Sequence, residues 1–172
     1  DQLLQNPEDM PTKEEAISMA KNYLEQADKF STDLQEGEQK TSFWKISFSG
    51  LESVGALSEA NIIRVDFFRK KLDGETDVLS SEVGRASVSV LVSGSSVATK
   101  KIVEVNYQHV DVDSSAASAS TYPIKTPEEA FADLQSGNYW PANDTLAKDV
   151  KIRKIYLAYF EPINLTQFLQ PI

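Results

Sequence analysis

The chain has 172 residues, 41% hydrophobic and 25% charged, the balance of a globular protein rather than of a disordered tail. It holds no cysteine, which removes disulfides, thiolate catalysis and cysteine-ligated zinc, and no apolar run nears the roughly 18 residues that cross a bilayer. A net charge of −9 repels nucleic acid and anionic headgroups, so neither is an expected partner.

Residues 1–11 are polar, are interrupted by Pro7 and Pro11, and read as a lead-in or linker. The opening Asp1-Gln2-Leu3-Leu4 has no initiator Met, as expected of a processed or recombinantly trimmed chain, with an export signal or a membrane anchor as the candidate for what was removed. Thr12 offers an N-cap and Glu15 completes a capping box, with Glu14 and Glu15 at the positive end of the helix. Ala16, Ala20, Tyr23, Leu24 and Ala27 recur at helical spacing and predict one apolar stripe on a helix that runs to about Lys29. Residues 33–39 read as a polar loop around Gly37.

Strands follow. In 41–48, Phe43, Trp44, Ile46 and Phe48 stand against Ser42, Lys45 and Ser47, the pattern of a half-buried strand. Residues 50–60 read as a connector. In 61–71, Ile63, Val65 and Phe67 share one face, and Ile62 and Phe68 lie on the other with Arg64 and Asp66; two partly apolar faces predict a central strand. Leu72-Asp73-Gly74-Glu75 is a turn signal. Ala86, Val88, Val90 and Val92 alternate with Ser87, Ser89 and Ser93, and Ser93-Gly94-Ser95-Ser96 turns the chain back into a strand over 101–112. There Val103, Val105 and Tyr107 share one parity, and Val110 and Val112 the other, so a bulge is expected near His109.

Residues 114–121, Ser-Ser-Ala-Ala-Ser-Ala-Ser-Thr, form a linker too small-sided to build a core. A second unit, 122–172, begins Tyr122-Pro123-Ile124-Lys125-Thr126-Pro127-Glu128-Glu129-Ala130-Phe131. Thr126 is an N-cap, Pro127 sits at the first helical position, Glu129 closes a second capping box and Gly137 stops the helix. Ala130, Phe131 and Leu134 form its apolar stripe. A loop carrying Tyr139 and Trp140 leads to a strand over 150–160. After a turn over 161–166, Phe168, Leu169 and Ile172 begin another strand. Because 126–130 echoes Thr12-Lys13-Glu14-Glu15-Ala16, the chain reads as α+β: two related units, 12–113 and 122–172, each a helix packed on an antiparallel β-sheet.

The helix Tyr-Pro-Ile-x-Thr-Pro-Glu-Glu-Ala-Phe-x-x-Leu-x-Ser-Gly, then Val-x-Ile-Arg-x-Ile-x-Leu-Ala-Tyr and Phe-Leu-Gln-Pro-Ile, resembles the C-terminal part of YycH/YycI-like ectodomains, themselves similar in style to PepSY-type modules. The match runs over 122–172, and the strand at 61–69 resembles the same pattern. The resemblance implies a membrane-anchored, extracytoplasmic regulatory protein of a Gram-positive bacterium that binds a sensor histidine kinase. It implies no catalytic residues.

The residues themselves offer little catalytic chemistry. His109 is the only histidine, and a Ser-His-Asp arrangement would draw on it with Asp111 or Asp113, but no Gly-x-Ser-x-Gly elbow is present. The pairs Glu14/Glu15 and Glu128/Glu129 point about 100° apart on a helix and suit helix starts better than acid–base work. Asp111 and Asp113 share a strand face but lack the loop glycine and ligand number of a calcium site. The seven glycines are scattered and cradle no phosphate. Arg69-Lys70-Lys71 and the cations of 148–154 read as solvated strand edges, with a local docking patch for an acidic partner as the alternative. The Asn143-Asp144-Thr145 and Asn164-Leu165-Thr166 glycosylation patterns read as chance matches in a bacterial protein.

The expectation is therefore a non-enzymatic extracytoplasmic interaction or sensing module, membrane-tethered and without a cofactor or metal. Its partner would be a membrane sensor or envelope protein, with Tyr139, Trp140, Arg153 and Lys154 as candidate partner-binding residues. The alternative is an envelope hydrolase, a peptidase or glycosidase, using carboxylates from different strands. A strand begun at the C-terminal sheet edge adds an expectation of self-association there.

Overall fold

A computed structural model describes residues 10–72, 74–80, 86–112, 121, 123–139, 151–161 and 170–171. The fold is α+β, and the chain divides into two compact units. One comprises 1–70 with 86–109, the other 71–85 with 110–172. The linker at 114–121 lies almost wholly outside the described residues. The segment 71–85 belongs with the second unit, whereas the sequence predicts it within 12–113.

The first unit is a five-stranded antiparallel sheet with a helix across one face. Helix α1 (Lys13–Gln26) starts in the expected capping box: Thr12 Oγ1 accepts from Glu15 N at 3.2 Å, and the Glu15 carboxylate accepts from Thr12 N at 2.8 Å. The bond from the Thr12 backbone, then that from its hydroxyl, holds the Glu15 carboxyl below its usual range. The helix ends three residues before Lys29, where Asp28 takes φ 54°. A short turn of helix, α2 (Thr32–Gln35), occupies part of the expected polar loop because Leu34 is buried beneath it.

Strands β1 (Gln39–Ser47), β2 (Gly50–Val54), β3 (Ile62–Phe67), β5 (Val88–Ser93) and β6 (Ile102–Tyr107) pair in the order β2-β1-β3-β5-β6. β3 is central, as its two apolar faces predict. β2 occupies the expected connector. Its residues are almost all exposed, so they carry no alternation to read. Gly50, at φ 125°, makes the hairpin from β1 to β2, which leaves Phe48 on the turn and exposed rather than in the strand. The bulge falls at the other end of the β5/β6 pair from the expected place. Leu91 faces Glu104 and Val92 faces Ile102, which makes Val103 the extra residue. β6 stops at Tyr107, before the parity flip.

The core lies between α1 and the sheet. Ala16, Ala20 and Leu24 pack with Ile63, Val65, Phe67, Val88, Val90 and Val92, all essentially inaccessible, and Leu34 closes one end. The alanines let the helix backbone approach the valines, and Leu24 alone contributes about 2 kcal/mol by leaving water. Tyr23 and Ala27, read as part of the stripe, are exposed, so the buried face is narrower than the sequence pattern.

In the second unit, α3 (Pro127–Gln135) also opens in its predicted capping box and ends before Gly137 at φ 79°. It buries none of its residues, and Phe131 is exposed, in contrast to the expectation that its stripe lies on a sheet. Leu72 and Thr76 bridge the predicted turn, with Gly74 at φ 74°. Strand β4 (Asp77–Ser80) pairs parallel with β7 (Ala158–Glu161), which pairs antiparallel with β8 (Gln170–Pro171). This three-stranded sheet is therefore mixed, not antiparallel as expected. Residues 151–157, expected in the strand, precede β7 without pairing. Phe168, Leu169 and Ile172 lie outside the described residues.

Candidate functional site

Four polar residues of the first unit converge where β3 and β6 end. Ser31 is the N-cap of α2 and Asp33 lies in its first turn, Arg69 comes from just beyond β3, and His109 from just beyond β6. Arg69 Nη1 meets Asp33 Oδ2 at 2.5 Å, and Arg69 Nη2 lies 3.1 Å from His109 Nδ1. His109 Nε2 lies 3.2 Å from Asp33 Oδ1 and 3.0 Å from Ser31 Oγ, which itself donates to Asp33 Oδ1 at 2.5 Å. The side chains of Arg69 and His109 are buried, and that of Asp33 is largely so.

The protonation pattern follows from donor and acceptor counts. A guanidinium only donates, so His109 Nδ1 accepts from Arg69, and hydrogen-bond geometry assigns the ring proton to Nε2. Nε2–H then donates to Asp33 Oδ1 and Ser31 Oγ. Burial pushes the Asp33 carboxyl up, but the hydrogen bonds from His109 and Ser31 and the Arg69 charge outweigh it and hold it well below the usual carboxylate range.

Ser31, His109 and Asp33 have the composition of a catalytic triad but not its wiring. In a triad the hydroxyl and the carboxylate sit on opposite ring nitrogens, so that one proton is taken as the other is held. Here both approach Nε2, and Nδ1 faces a cation. The arrangement is a polar clasp that ties the start of α2 to the ends of two strands.

The backbone reinforces it. Lys70 N donates to Asp33 O at 2.8 Å, Phe68 N to Glu38 O at 2.9 Å, and Gln108 N to Ser87 O at 2.8 Å. Lys70 Nζ also pairs with Glu36 at 2.9 Å across the surface. Gly37 lets the two chain segments come this close: a β-carbon there would lie 1.8 Å from Phe68 O. Arg69 is thus a buried clasp residue, which corrects its reading as part of a solvated basic edge. His109 is likewise a clasp residue beyond the strand, not a strand residue at a bulge.

The candidate partner-binding residues belong to the second unit. Tyr139, Arg153 and Lys154 are exposed, and Trp140 lies outside the described residues. Among the described residues, no hydrogen bond or ring contact joins Tyr139 to Arg153 or Lys154; Lys154 Nζ instead stands 4.5 Å from the centre of the Tyr156 ring. Glu129, from one of the adjacent acidic pairs, is engaged in the α3 capping box. Asp111 is exposed, and Asp113 lies outside the described residues.

No family model, curated protein or solved structure matches the chain. No helix among the described residues is long and apolar enough to cross a membrane.

Proposed function

We propose that the chain is a non-enzymatic, extracytoplasmic interaction or sensing module of a membrane-anchored bacterial protein, of the YycH/YycI-like kind, acting on a signalling or envelope partner. The observation that carries this reading is the wiring of its single histidine. Both ring nitrogens of His109 are held by fixed groups, one of them cationic, and the Ser31 hydroxyl beside it is already hydrogen-bonded to the same carboxylate. A base so occupied has no lone pair to offer a substrate. The sequence resemblance over 122–172 supports the regulatory half of the reading, and the exposed aromatic and basic residues Tyr139, Arg153 and Lys154 support the binding half.

Two measurements test it. The purified chain, incubated with peptidoglycan, peptide and glycoside substrates, is expected to give no turnover above buffer. Turnover that Asp33→Asn or His109→Gln abolishes, with the fold kept, would establish the hydrolase reading instead. In cells, a photo-crosslinking residue placed at Tyr139 or Arg153 of the full-length protein is expected to trap an envelope or membrane protein. Trapping only of cytosolic proteins would overturn the assigned location.

A further inference from the structure

The segment 151–157, Lys-Ile-Arg-Lys-Ile-Tyr-Leu, lies immediately before β7 and is exposed throughout. Ile152, Ile155, Tyr156 and Leu157 are 42–48% exposed, so side chains of both parities face water equally. Among the described residues, 151–156 make no backbone hydrogen bond, although β7 directly downstream is paired on both sides. Unpaired backbone with exposed apolar side chains can accept an added strand.

The charge selects the occupant. Lys151, Arg153 and Lys154 place three cations within four residues of a chain whose net charge is −9. Pairing with the same segment of a second copy would crowd six cations onto two adjacent strands, which is destabilising. A nucleic acid or an anionic membrane would meet the repulsion of the whole molecule, whereas a short acidic peptide meets only the local patch. On one parity Lys151 and Arg153 are followed by Ile155 and Leu157; on the other, Ile152 and Tyr156 flank Lys154. Each face therefore asks for both acidic and apolar side chains.

We propose that residues 151–157 are a docking edge for an extended acidic and apolar segment of a partner protein, which adds to it as a β-strand. The inference rests on the interaction-module reading and names the chemistry of its partner.

The test uses the full chain and a fluorescent peptide of alternating Glu and Val, read by anisotropy. Saturable binding is expected, weakened at least about tenfold by the double variant Arg153→Glu/Lys154→Glu, a difference of about 1.4 kcal/mol. Both residues are exposed, so an unchanged melting curve for the variant checks its fold. N-methylation of alternate peptide amides, which removes backbone donors but leaves the charge, is expected to abolish binding; undiminished binding would overturn strand addition. A Lys/Val peptide is expected not to bind. Binding to phosphatidylserine vesicles that the double variant loses would assign the patch to lipid and overturn the proposal. Concentration-dependent dimers in sedimentation, lost in Ile155→Pro, would assign it to a second copy and equally overturn it. Absence of Glu/Val binding would overturn the docking edge alone, since the non-enzymatic reading is decided separately by the turnover assay.

Discussion

Gly37 has a neighbour that leaves no room for any side chain. A β-carbon would sit 1.8 Å from the Phe68 carbonyl oxygen and 3.0 Å from the Arg69 carbonyl carbon, both backbone atoms that cannot swing aside. Gly37→Ala must therefore push the α2–β1 connection off β3 and loosen the clasp. A loss of about 2 kcal/mol or more is expected in urea denaturation; a change within about 0.5 kcal/mol, the range of ordinary surface substitutions, would show that this approach is not needed. Asp33→Asn keeps the shape of the clasp but takes a counter-charge from buried Arg69. Removing one partner of a fully buried pair costs about 3–5 kcal/mol, and the partial exposure of Asp33 puts this case nearer 2. The pH dependence has a definite sign. The folded pKa of Asp33 is depressed, so the unfolded chain takes up its proton first as pH falls. Its stabilisation is complete above the ordinary carboxylate range near pH ~4 and is lost as pH drops below it through the folded pKa. Acid titration of stability should thus be shallower in Asp33→Asn than in the parent, and parallel curves would remove Asp33 from the acid response. None of this clasp is legible in the sequence as a unit. Apart from Ser31 and Asp33, which are two residues apart, its members lie 36 to 78 residues apart, and each alone has a bland reading: loop aspartate, edge arginine, strand histidine. Only the fold, by ending β3 and β6 beside the same turn, gives them a common place.

Local signals read well wherever one element supplies both partners. Both capping boxes form as their Thr-x-x-Glu spacing predicts, because the donor, the acceptor and the helix start lie within four residues. The apolar runs of β5 and the doubly apolar β3 predict their places for a similar reason: from Ile63 on, β3 alternates buried and half-buried residues along the pleat, and all six residues of β5 are buried. What the sequence misplaces depends on distant partners. β4 is four residues long and acquires its identity only by pairing with β7, far along the chain. The stripe of α3 looks apolar in sequence, yet none of it is fully buried and Phe131 is exposed, because burial needs a surface to pack on, which periodicity cannot supply. The two caps should therefore respond differently to the same change. Thr12→Ala is expected to lower global stability by about 1 kcal/mol, because α1 is docked on the core and cannot fray without exposing Ala16 and Leu24. Thr126→Ala breaks an equivalent cap on a helix that buries nothing. It should raise amide exchange over 127–135 while leaving the main unfolding transition in place. A fall in the main transition equal to that of Thr12→Ala would show that α3 is packed into a cooperative core.

At the scale of the whole molecule, the two units are unequally built. The first buries a continuous cluster of ten apolar side chains from α1, α2 and the neighbouring strands β3 and β5, and adds the Asp33–Arg69–His109 clasp at one end. In the second, Ala158 is the one buried apolar residue among those described, and the sheet consists of two four-residue strands and a two-residue strand. Apolar burial is the main favourable term in folding, and a short sheet with little of it opens at low free energy. The chain also crosses between the units three times, near residues 70, 86 and 110, so the second unit can be assembled only from two separated pieces, 71–85 and 110–172. Closing that assembly carries the loop entropy of everything between β4 and β7, whereas β3 and β5 need a much shorter closure. Unfolding should therefore not be a single two-state transition. Native-state amide exchange in low denaturant is expected to open 77–80 and 158–161 first and together, since those strands pair with each other. Residues 62–67 and 88–93 should exchange only at the global free energy. Trp44, in β1, reports the second step by fluorescence once Trp140 is replaced by Phe. If 158–161 and 62–67 exchange with one free energy and one denaturant slope, the two units unfold as a single cooperative body, and the weakness of the second sheet is compensated by contacts outside it.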